Sequence, residues 1–430
     1  MFHAYSHAAK VCLLLMSGLA MTVQSVYAGQ MLSLDSAVAE ALDVNPSLAA
    51  MRVRAHALAE VPPQVGTLPD PRLSLNALNM PVDSFSFTEE GMTQLQVGIS
   101  QALPFFGKRA LREEAASLEA EAAVSAWEET RLQLIRDVKT AWWMLFYLDR
   151  ALEIVNRNQH LLRQFVTVAQ TKYKVGEGLQ QDVLLAQLEL SKLLDQSIAL
   201  QGSRREGEAQ LNALLNRPAE NAIALPPQAD ETLPPVMAEA QLLKRSLEIR
   251  PQLEGQQSRV EAARARVDLA RKDYAPDFMV GAAYGFRSGE NPDGSERPDF
   301  ASVMFSMNLP IRTHRRDRAV DQFNSELLQQ QYLLDDSRRQ VAVQISRDLA
   351  GYRRAREQAE LFLKGIIPQA RQTVASMMAG YQVNKVDFLN LVRAQVTLYD
   401  YEIRYWKTVS EANQALARLE AAVGGEAIYE

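Results

Sequence analysis

The chain has 430 residues, of which 47% are apolar and 23% are charged, and its formal net charge is −6. This composition excludes a disordered chain and does not by itself mark a membrane-embedded one. The acidic balance argues against nucleic acid as a partner, since nucleic-acid-binding proteins normally carry a basic excess. The length allows two or three ordinary domains.

The N-terminal segment predicts a secretory signal peptide over residues 1–28. Lys10 precedes an apolar run at residues 11–23, and a small-x-small exit pattern follows at residues 26–28. A transmembrane anchor is the alternative, but this run would span only about 20 Å as a helix against a hydrocarbon core of about 30 Å. The only cysteine, Cys12, lies in this segment, so the mature chain is expected to contain no disulfide.

The remainder of the sequence contains one unit of about 205 residues twice. Residues 96–104 read QVGISQALP, and residues 302–310 read SVMFSMNLP. Further pairs of positions follow in the same order at a nearly constant offset: Asn45-Pro46 with Arg250-Pro251, Leu68-Pro69-Asp70 with Ala275-Pro276-Asp277, and Lys108-Arg109 with His314-Arg315. A period this long indicates two copies of a domain-sized unit, not a solenoid.

This duplication predicts a first repeat at 29–215, a Pro-rich linker at 216–238, a second repeat at 239–421 and a C-terminal tail at 422–430. Each repeat is expected to contain a helix, two strands, a very long helix and a return helix, so the fold class is mainly α with a small β part. The first repeat is predicted to have strands at about 72–80 and 94–103, a long helix at 108–174 and a return helix at 179–215. The second is predicted to have strands at about 277–287 and 300–309, a long helix at 314–381 and a return helix at 387–421.

The long helices carry apolar residues at spacings of three and four, which is typical of coiled coils. Several shorter helices folded on one another remain the alternative. In the second repeat, Gly351, Gly365 and Pro368 interrupt the pattern, and we expect a kink near Pro368.

The predicted strands alternate apolar and small or polar residues with a period of two. They could pack beneath the helices or face lipid, and about ten residues is the length that a tilted membrane strand needs. Four strands cannot close a membrane barrel, because the smallest closed barrels have eight. Strands that span a membrane would therefore have to be shared among three or four chains.

Basic residues follow each predicted strand pair: Lys108 and Arg109 in the first repeat, and Arg312, Arg315 and Arg316 in the second. At a strand–helix border such cations could pair with lipid phosphates. Ordinary charge at a helix start is the alternative, although basic residues there oppose the helix dipole.

A tight turn is predicted after each long helix, which gives two αα-hairpins. The first turn contains Val175, Gly176, Glu177 and Gly178, and the second contains Val383, Asn384 and Lys385. Glycine and asparagine tolerate the left-handed conformation that ends a helix.

Sequence motifs for catalysis are absent. After residue 28 the sequence keeps three histidines, His56, His160 and His314, and none belongs to a zinc-binding H-x-x-x-H or H-E-x-x-H pattern. It also has no G-x-S-x-G, P-loop or dinucleotide fingerprint. We therefore expect no enzyme activity, no catalytic or metal-binding residues and no cofactor.

The ordered motifs give the chain a family resemblance over essentially its whole mature length. They are Asn45-Pro46, Pro69-Asp70-Pro71, Leu103-Pro104 with Gly107-Lys108, and Tyr173-x-Val175-Gly176 followed by Asp182-Val183-Leu184-x-Ala186-Gln187. Together they resemble the TolC family of outer-membrane efflux channels. The stretches at 79–83, 99–101 and 386–389 look most like its heavy-metal branch.

The resemblance implies a homotrimer with a twelve-stranded barrel in the outer membrane and helical hairpins in the periplasm. The channel would be a passive export duct, and its hairpin turns would contact a periplasmic adaptor protein that joins an inner-membrane RND-type pump. A periplasmic coiled-coil adaptor or tether is the alternative reading of the same helices.

The resemblance also implies a constriction at the periplasmic tip. Two positions that are acidic in TolC itself hold Asn390 and Arg393 here, which puts that acidic gate in doubt. Asp182 and Asp387 are the candidate substitutes, while a surface acid at a helix start is the plainer interpretation.

Overall fold

A computed structural model describes residues 31–383, 385–426 and 428–429. The expected signal peptide at 1–28 lies outside these residues. The chain divides into two compact units, which are described separately below. One comprises the described residues of Met1–Asn45, Ile135–Pro234 and Gly351–Ala417, and the other those of Pro46–Leu134, Pro235–Ala350 and Arg418–Glu430.

Helices dominate the structure and follow a similar order in both halves of the chain, although the first half has a short third helix and the second half has its long helix divided in two. The first half contains α1 Leu34–Val44, α2 Pro46–Ala59, α3 Val61–Gly66, α4 Lys108–Lys174 and α5 Gln180–Leu214. The second half contains α6 Glu239–Ile249, α7 Pro251–Lys272, α8 Thr313–Leu361, α9 Ile367–Gln382 and α10 Phe388–Val423. Within the described part of the chain, none of these helices is both long and apolar enough to cross a membrane.

Four strands form one antiparallel sheet in the order β1-β2-β3-β4. They are β1 Arg72–Leu78, β2 Gln94–Leu103, β3 Phe278–Phe286 and β4 Phe300–Met307. The two strands of each repeat form a hairpin, and β2 of the first repeat pairs with β3 of the second. Both β1 and β4 are therefore edge strands of the sheet.

In each repeat, the residue before a proline at a helix start hydrogen-bonds to the end of the return helix. Asn45 precedes Pro46 of α2, and its Nδ2 donates to Leu214 O at the end of α5, at 3.0 Å. Arg250 precedes Pro251 of α7, and its Nη1 donates to Ala422 O near the end of α10, at 2.7 Å. Both side chains satisfy a carbonyl of a last helical turn, which otherwise has no partner within the helix. The duplication read from the sequence thus has a structural counterpart.

The first unit has its core among the four hairpin helices. Ala151, Leu162 and Phe165 of α4 pack with Leu193 of α5 and Leu391 of α10 in one buried cluster. Trp142 of α4 is also buried, and its Nε1 donates to Leu32 O at 2.9 Å. On α4 the cluster residues Ala151, Val155, Leu162, Phe165 and Ala169 recur at spacings of three, four and seven, which places them on one stripe of the helix.

The second long helical segment, predicted at 314–381 with a kink near Pro368, is divided into two helices. Helix α8 ends at Leu361, a π-helical turn spans Phe362–Ile366, and α9 follows. Ile367 N donates to Phe362 O, five residues back. Pro368 lacks an N–H and its ring crowds the preceding turn, so the wider π turn accommodates it.

Candidate functional site

One face of the sheet is apolar and exposed. Strand registers pair Leu75 with Val97 and Val97 with Tyr284, and residues paired across strands point to the same face. The exposed apolar side chains of this face come from all four strands: Leu73, Leu75, Leu95, Ile99, Val280, Tyr284, Phe286, Val303, Phe305 and Met307. Val303 reaches 90% exposure and Leu73 reaches 73%. Contiguous apolar surface of this kind marks an interaction with lipid or protein.

The opposite face of the same sheet carries mostly small and polar residues, with Met279, Phe300 and Met304 among its larger apolar members. It includes Ser74 and Asn76 of β1, Gln96 of β2, Gly281 of β3 and Ser302 of β4. The alternation predicted from sequence for β2, β3 and β4 therefore corresponds to two chemically different faces. A sheet with one apolar and one polar face suits a boundary between hydrocarbon and water.

The junction between β2 and α4 gives Lys108 a structural role. Its side chain is only 2% exposed, and its Nζ lies 2.9 Å from Asp277 Oδ1 and 3.0 Å from Asp273 Oδ1. Phe105 N also donates to Asp277 Oδ1, at 2.8 Å. Burial raises the pKa of Asp277, but the Phe105 N–H and the Lys108 ammonium outweigh it, so the pKa is lowered overall.

The prediction that Lys108 meets lipid phosphates is therefore wrong, because the ammonium is buried against two carboxylates. Arg109 Nη1 instead donates to Gly66 O at 3.2 Å, and Arg316 Nε donates to Asp273 O at 2.6 Å. Arg312 and Arg315 are exposed. For these four arginines a lipid contact stays a prediction.

The first hairpin turn is held by backbone hydrogen bonds. Glu177 N and Gly178 N both donate to Lys172 O, at 2.8 and 3.0 Å. Gly176 has φ +79°, a left-handed conformation that glycine adopts without a Cβ penalty. Val175 stands out at 65% exposure. The turn thus presents a protruding apolar side chain on a tightly bonded loop.

The second hairpin turn joins α9 to α10. Lys385 N donates to Gly380 O at 2.8 Å, and Asn390 N donates to Asp387 O at 3.1 Å. Val383 is 62% exposed. The predicted turn residue Asn384 lies outside the described residues.

The two hairpins pack together close to their turns. Phe388 of α10 contacts Phe165 of α4 and Tyr381 of α9, with ring centroids 6.1 and 5.4 Å apart. Lys172 Nζ lies 4.3 Å from the Tyr381 ring centroid. Burial, followed by the negative charge of Asp182, raises the pKa of Tyr381. Asp182 therefore lies near the contact between the hairpins.

The remaining constriction candidates lie at the start of α10, with Asp387 immediately before its first residue. Asp387, Asn390 and Arg393 follow one another at intervals of three residues, and all three are exposed in the single chain. Their spacing places them along one helical stripe. Asp387, Asn390 and Arg393 thus follow one another along the helix surface. Their location at a constriction stays a prediction.

Sequence reasoning missed a buried carboxylate between three helices. Glu402 of α10 is 8% exposed, and it pairs with Arg371 of α9 at 2.9 Å and with Arg157 of α4. Each residue alone resembles an ordinary surface charge in an alternating sequence. Only the fold, which places positions 157 and 402 together, identifies the cluster. Among the described residues, no group of three or more His, Cys, Asp or Glu is arranged to hold a metal ion.

Comparison with known proteins places this architecture in a family. A family model described as "Outer membrane efflux protein" matches residues 37–217 and 242–425, which is one segment in each repeat. The cobalt-zinc-cadmium resistance protein CzcC of Cupriavidus metallidurans is 20% identical over 385 residues, which cover 84% of this chain and 82% of that protein.

Solved structures share the fold at low sequence identity. The outer-membrane channel OprN is 18% identical with a TM-score of 0.76, covering 91% of this chain and 90% of OprN. The outer membrane protein VceC from Vibrio cholerae is also 18% identical with a TM-score of 0.76, covering 91% of this chain and 96% of VceC. CusC, whose structures show conformational changes that accompany folding and transmembrane channel formation, is 16% identical with a TM-score of 0.75. The match covers 92% of this chain and 92% of CusC.

The matched family is one of efflux channels in the outer membrane, and such channels are not enzymes. This chain belongs to the outer membrane efflux protein family. It is an efflux channel of the cell outer membrane, which the family match supports over both repeats, and the adaptor alternative is not favoured.

Proposed function

We propose that three copies of this chain form the outer-membrane duct of a tripartite efflux system that exports heavy-metal cations. The duct is passive, and an inner-membrane RND-type pump drives transport through a periplasmic adaptor protein. The four strands of each copy lie in the outer membrane and together make a twelve-stranded barrel. The helical hairpins lie in the periplasm.

The observation that carries this proposal is the exposed apolar face of the four-stranded sheet. Leu75, Val303 and Phe305 are between 63% and 90% exposed, and burying such side chains in hydrocarbon is worth about 1.5–3 kcal/mol each. Unpaired strand edges are costly in lipid, so the edges at β1 and β4 require further strands. Three copies would supply a closed wall with the polar face inward.

The hairpin turns are the proposed contact with the adaptor. Val175 and Val383 each protrude from a turn whose backbone is fixed by hydrogen bonds, which limits the entropy lost on binding. We assign Val175, Gly176, Glu177 and Gly178 to the first contact and Val383, Asn384 and Lys385 to the second. Aspartates at 182 and 387, with Asn390 and Arg393, are the proposed lining of the tip constriction.

The cargo assignment draws on the similarity to CzcC, a cobalt-zinc-cadmium resistance protein. A cation path needs weak carboxylate contacts that let the ion leave again. Asp182 is half-buried and Asp387 is exposed, so both could meet a hydrated cation at the tip. The lipid-facing role of Arg109, Arg312, Arg315 and Arg316 completes the proposal at the membrane border.

Planar-bilayer recording tests the duct directly. We expect the detergent-extracted protein to be a heat-modifiable oligomer that conducts ions, with a conductance that changes in Asp182→Asn and Asp387→Asn. Glu360→Gln is the matched control, since Glu360 is an exposed helical carboxylate that pairs with Lys364. A monomer, or an oligomer that never conducts even after the tip substitutions, would refute the proposal.

Growth in cobalt, zinc or cadmium tests the cargo separately. Cells that lack the protein should become more sensitive to these cations, and the native chain should restore resistance. Unchanged metal sensitivity together with normal conductance would reject the heavy-metal cargo and leave the duct intact.

A further inference from the structure

We infer that Met279 of β3 and Met304 of β4 together form a binding site for a soft cation, Ag⁺ or Cu⁺, on the polar face of the sheet. The inference rests on the proposed function, in which this face lines the water-filled duct, and it names a further class of cation that the duct takes. The thioethers lie outside the His, Cys, Asp and Glu patterns on which the expectation of no metal-binding residues is based.

The two methionines interrupt a face that is otherwise mostly small and polar. The strand register places both on the side that carries Ser306. Phe300 is also on this face, but its ring is covered by the Arg287 guanidinium, which lies 4.2 Å from the ring centroid. Met304 is 49% exposed and Met279 is half-buried. Their sulfur atoms are therefore open to a ligand that approaches from the water-filled side.

The register also makes the two methionines diagonal neighbours. Met279 pairs with Ser306, and Met304 lies two residues before Ser306 on β4. Diagonal neighbours have Cβ atoms about 7–8 Å apart, which is within reach of long side chains. The end of Met304 already lies over β3, because its Cε is 3.3 Å from the position that a Cβ on Gly281 would occupy. Gly281 is two residues from Met279, so the missing side chain leaves room for both thioethers.

The chemistry of the two side chains selects the cation. Thioether sulfur is a soft ligand that suits Cu⁺, whereas carboxylate and water suit harder cations. Methionine has three rotatable bonds and a polarizable sulfur, so both sulfurs can turn toward one ion between the strands. Two neutral ligands hold a cation less strongly than charged thiolates would. A weak site suits a conduction path, because the ion must also leave.

Silver binding to the detergent-extracted oligomer tests the site. Equilibrium dialysis in chloride-free nitrate buffer should show saturable binding of Ag⁺, which is soft like Cu⁺ and stable in air. Met279→Leu and Met304→Leu should each lower the affinity at least about tenfold, as the loss of a metal contact does. Leucine is similar to methionine in volume, so both variants should keep the sheet intact.

Two controls separate a paired site from methionine in general. Met307→Leu removes a β4 methionine that is 50% exposed, nearly the same as Met304, but that lies on the apolar face. It should leave silver binding unchanged. Adding Ser302→Met to Met304→Leu puts a thioether two residues further along the same face, away from Met279, and should not restore binding. An equal loss in Met307→Leu, or restoration by Ser302→Met, would overturn the paired site.

Oxidation gives a second readout that does not depend on measured affinity. Hydrogen peroxide converts an accessible thioether to the sulfoxide. A sulfur that binds Ag⁺ has its lone pair engaged, so silver should protect Met279 and Met304 from oxidation and leave Met307 unprotected. Peptide mass spectrometry measures the extent at each position. Equal oxidation of the pair with and without silver would overturn the site.

Conductance separates the site from the duct. Met279→Leu and Met304→Leu should both remain oligomers that conduct in potassium nitrate like the native protein. Normal conductance in a native oligomer that binds no silver would overturn the site and leave the duct standing. A monomeric protein, or an oligomer that never conducts, would overturn the duct and with it the placement of the two methionines on its inner wall.

Discussion

The two repeats share one order of elements, yet they solve the same structural problems with different side chains. Before the proline that starts α2, Asn45 makes a neutral hydrogen bond to a helix end. Before the proline that starts α7, Arg250 makes the equivalent bond and adds an ion pair with buried Glu129, at 3.2 Å. Both repeats therefore keep a side-chain donor to a helix-end carbonyl at the residue before the proline. The donor is an amide in the first repeat and a guanidinium in the second.

The long helices diverge further. Helix α4 is continuous over Lys108–Lys174, whereas its counterpart is divided by the π turn at Phe362–Ile366. The strand–helix junctions differ as well, since Lys108 is buried between two acids and His314 is exposed. These differences teach that the first repeat buries its junction cation between carboxylates of the same chain, whereas the second repeat leaves the corresponding side chain in solvent.

The largest effect should come from Arg250→Leu. The substitution leaves the Glu129 carboxylate buried without its cation and removes the bond to Ala422 O, so we expect a loss of about 3–5 kcal/mol in the free energy of unfolding. Asn45→Ala, at the equivalent position, removes the neutral hydrogen bond to Leu214 O and leaves no buried charge behind, so it should cost about 1 kcal/mol. Urea denaturation in detergent measures both, and equal losses would contradict the comparison.

Lys108→Met should have the next largest effect. Methionine keeps an apolar stem but loses the ammonium that Asp273 and Asp277 share, which should cost about 2 kcal/mol. The matched control is His314→Met in the second repeat, for which we expect a loss below about 1 kcal/mol, because His314 is exposed. If the two substitutions destabilise the protein equally, the junctions are not as different as their burial indicates.

These junctions also show where prediction from sequence succeeds and where it ends. The period of two in residues 94–103 predicts the strand and its apolar face, because successive side chains on a strand point to opposite faces. Nothing local in the sequence shows that Lys108 meets Asp277, since the two are brought together only when β2 pairs with β3. A basic residue at a helix start reads as a surface charge until the sheet forms.

The same limit applies to the helices and their turns. Pro368 predicts an interruption of the helix. The exact position of the π turn before it depends on which backbone carbonyls lose their N–H partner to the proline, and the sequence pattern does not show this. Gly176 predicts the first turn, because a left-handed residue favours glycine. The approach of Lys172 to Tyr381 depends on packing between hairpins more than 200 residues apart, and no local pattern encodes it.

The two hairpin turns should respond differently to added methyl groups. Gly176→Ala should cost about 1 kcal/mol, since alanine is strained at φ +79°. Gly380→Ala should cost a similar amount for another reason, because its Cβ would lie 2.5 Å from Val386 Cγ2.

A second substitution separates these two causes in urea denaturation. Val386→Ala should rescue Gly380→Ala by removing the clash, and it should not rescue Gly176→Ala. Gly202→Ala is a control within α5, where a Cβ meets no atom within 4 Å, and it should be neutral or stabilising by up to about 1 kcal/mol. If Val386→Ala rescued both glycine variants, or neither of them, then backbone strain at Gly176 and the side-chain clash at Gly380 would not be the separate causes of the two losses.

The smallest effect concerns a position where the repeats carry opposite charges. Asp400 of α10 corresponds to Lys192 of α5, which pairs with Glu189. Burial raises the pKa of Asp400, and the nearby negative charge of Glu189 raises it further, although Arg404 partly opposes them. The native carboxyl thus binds its proton more tightly than the unfolded chain does.

A raised carboxyl pKa means that stability is lost as the pH rises through the folded value. Asp400→Asn removes this ionisation, so it should stabilise the protein at pH 7 by less than about 1 kcal/mol, and the gain should disappear as the pH falls toward 3.8. Glu360→Gln is the control of opposite sign, because Lys364 lowers the pKa of Glu360 and stabilises the charged form. That substitution should lower the unfolding temperature at neutral pH and matter less in acid. A gain for Asp400→Asn that does not change with pH would mean that the amide stabilises α10 by its own contacts, and that the buried charge is not the cause.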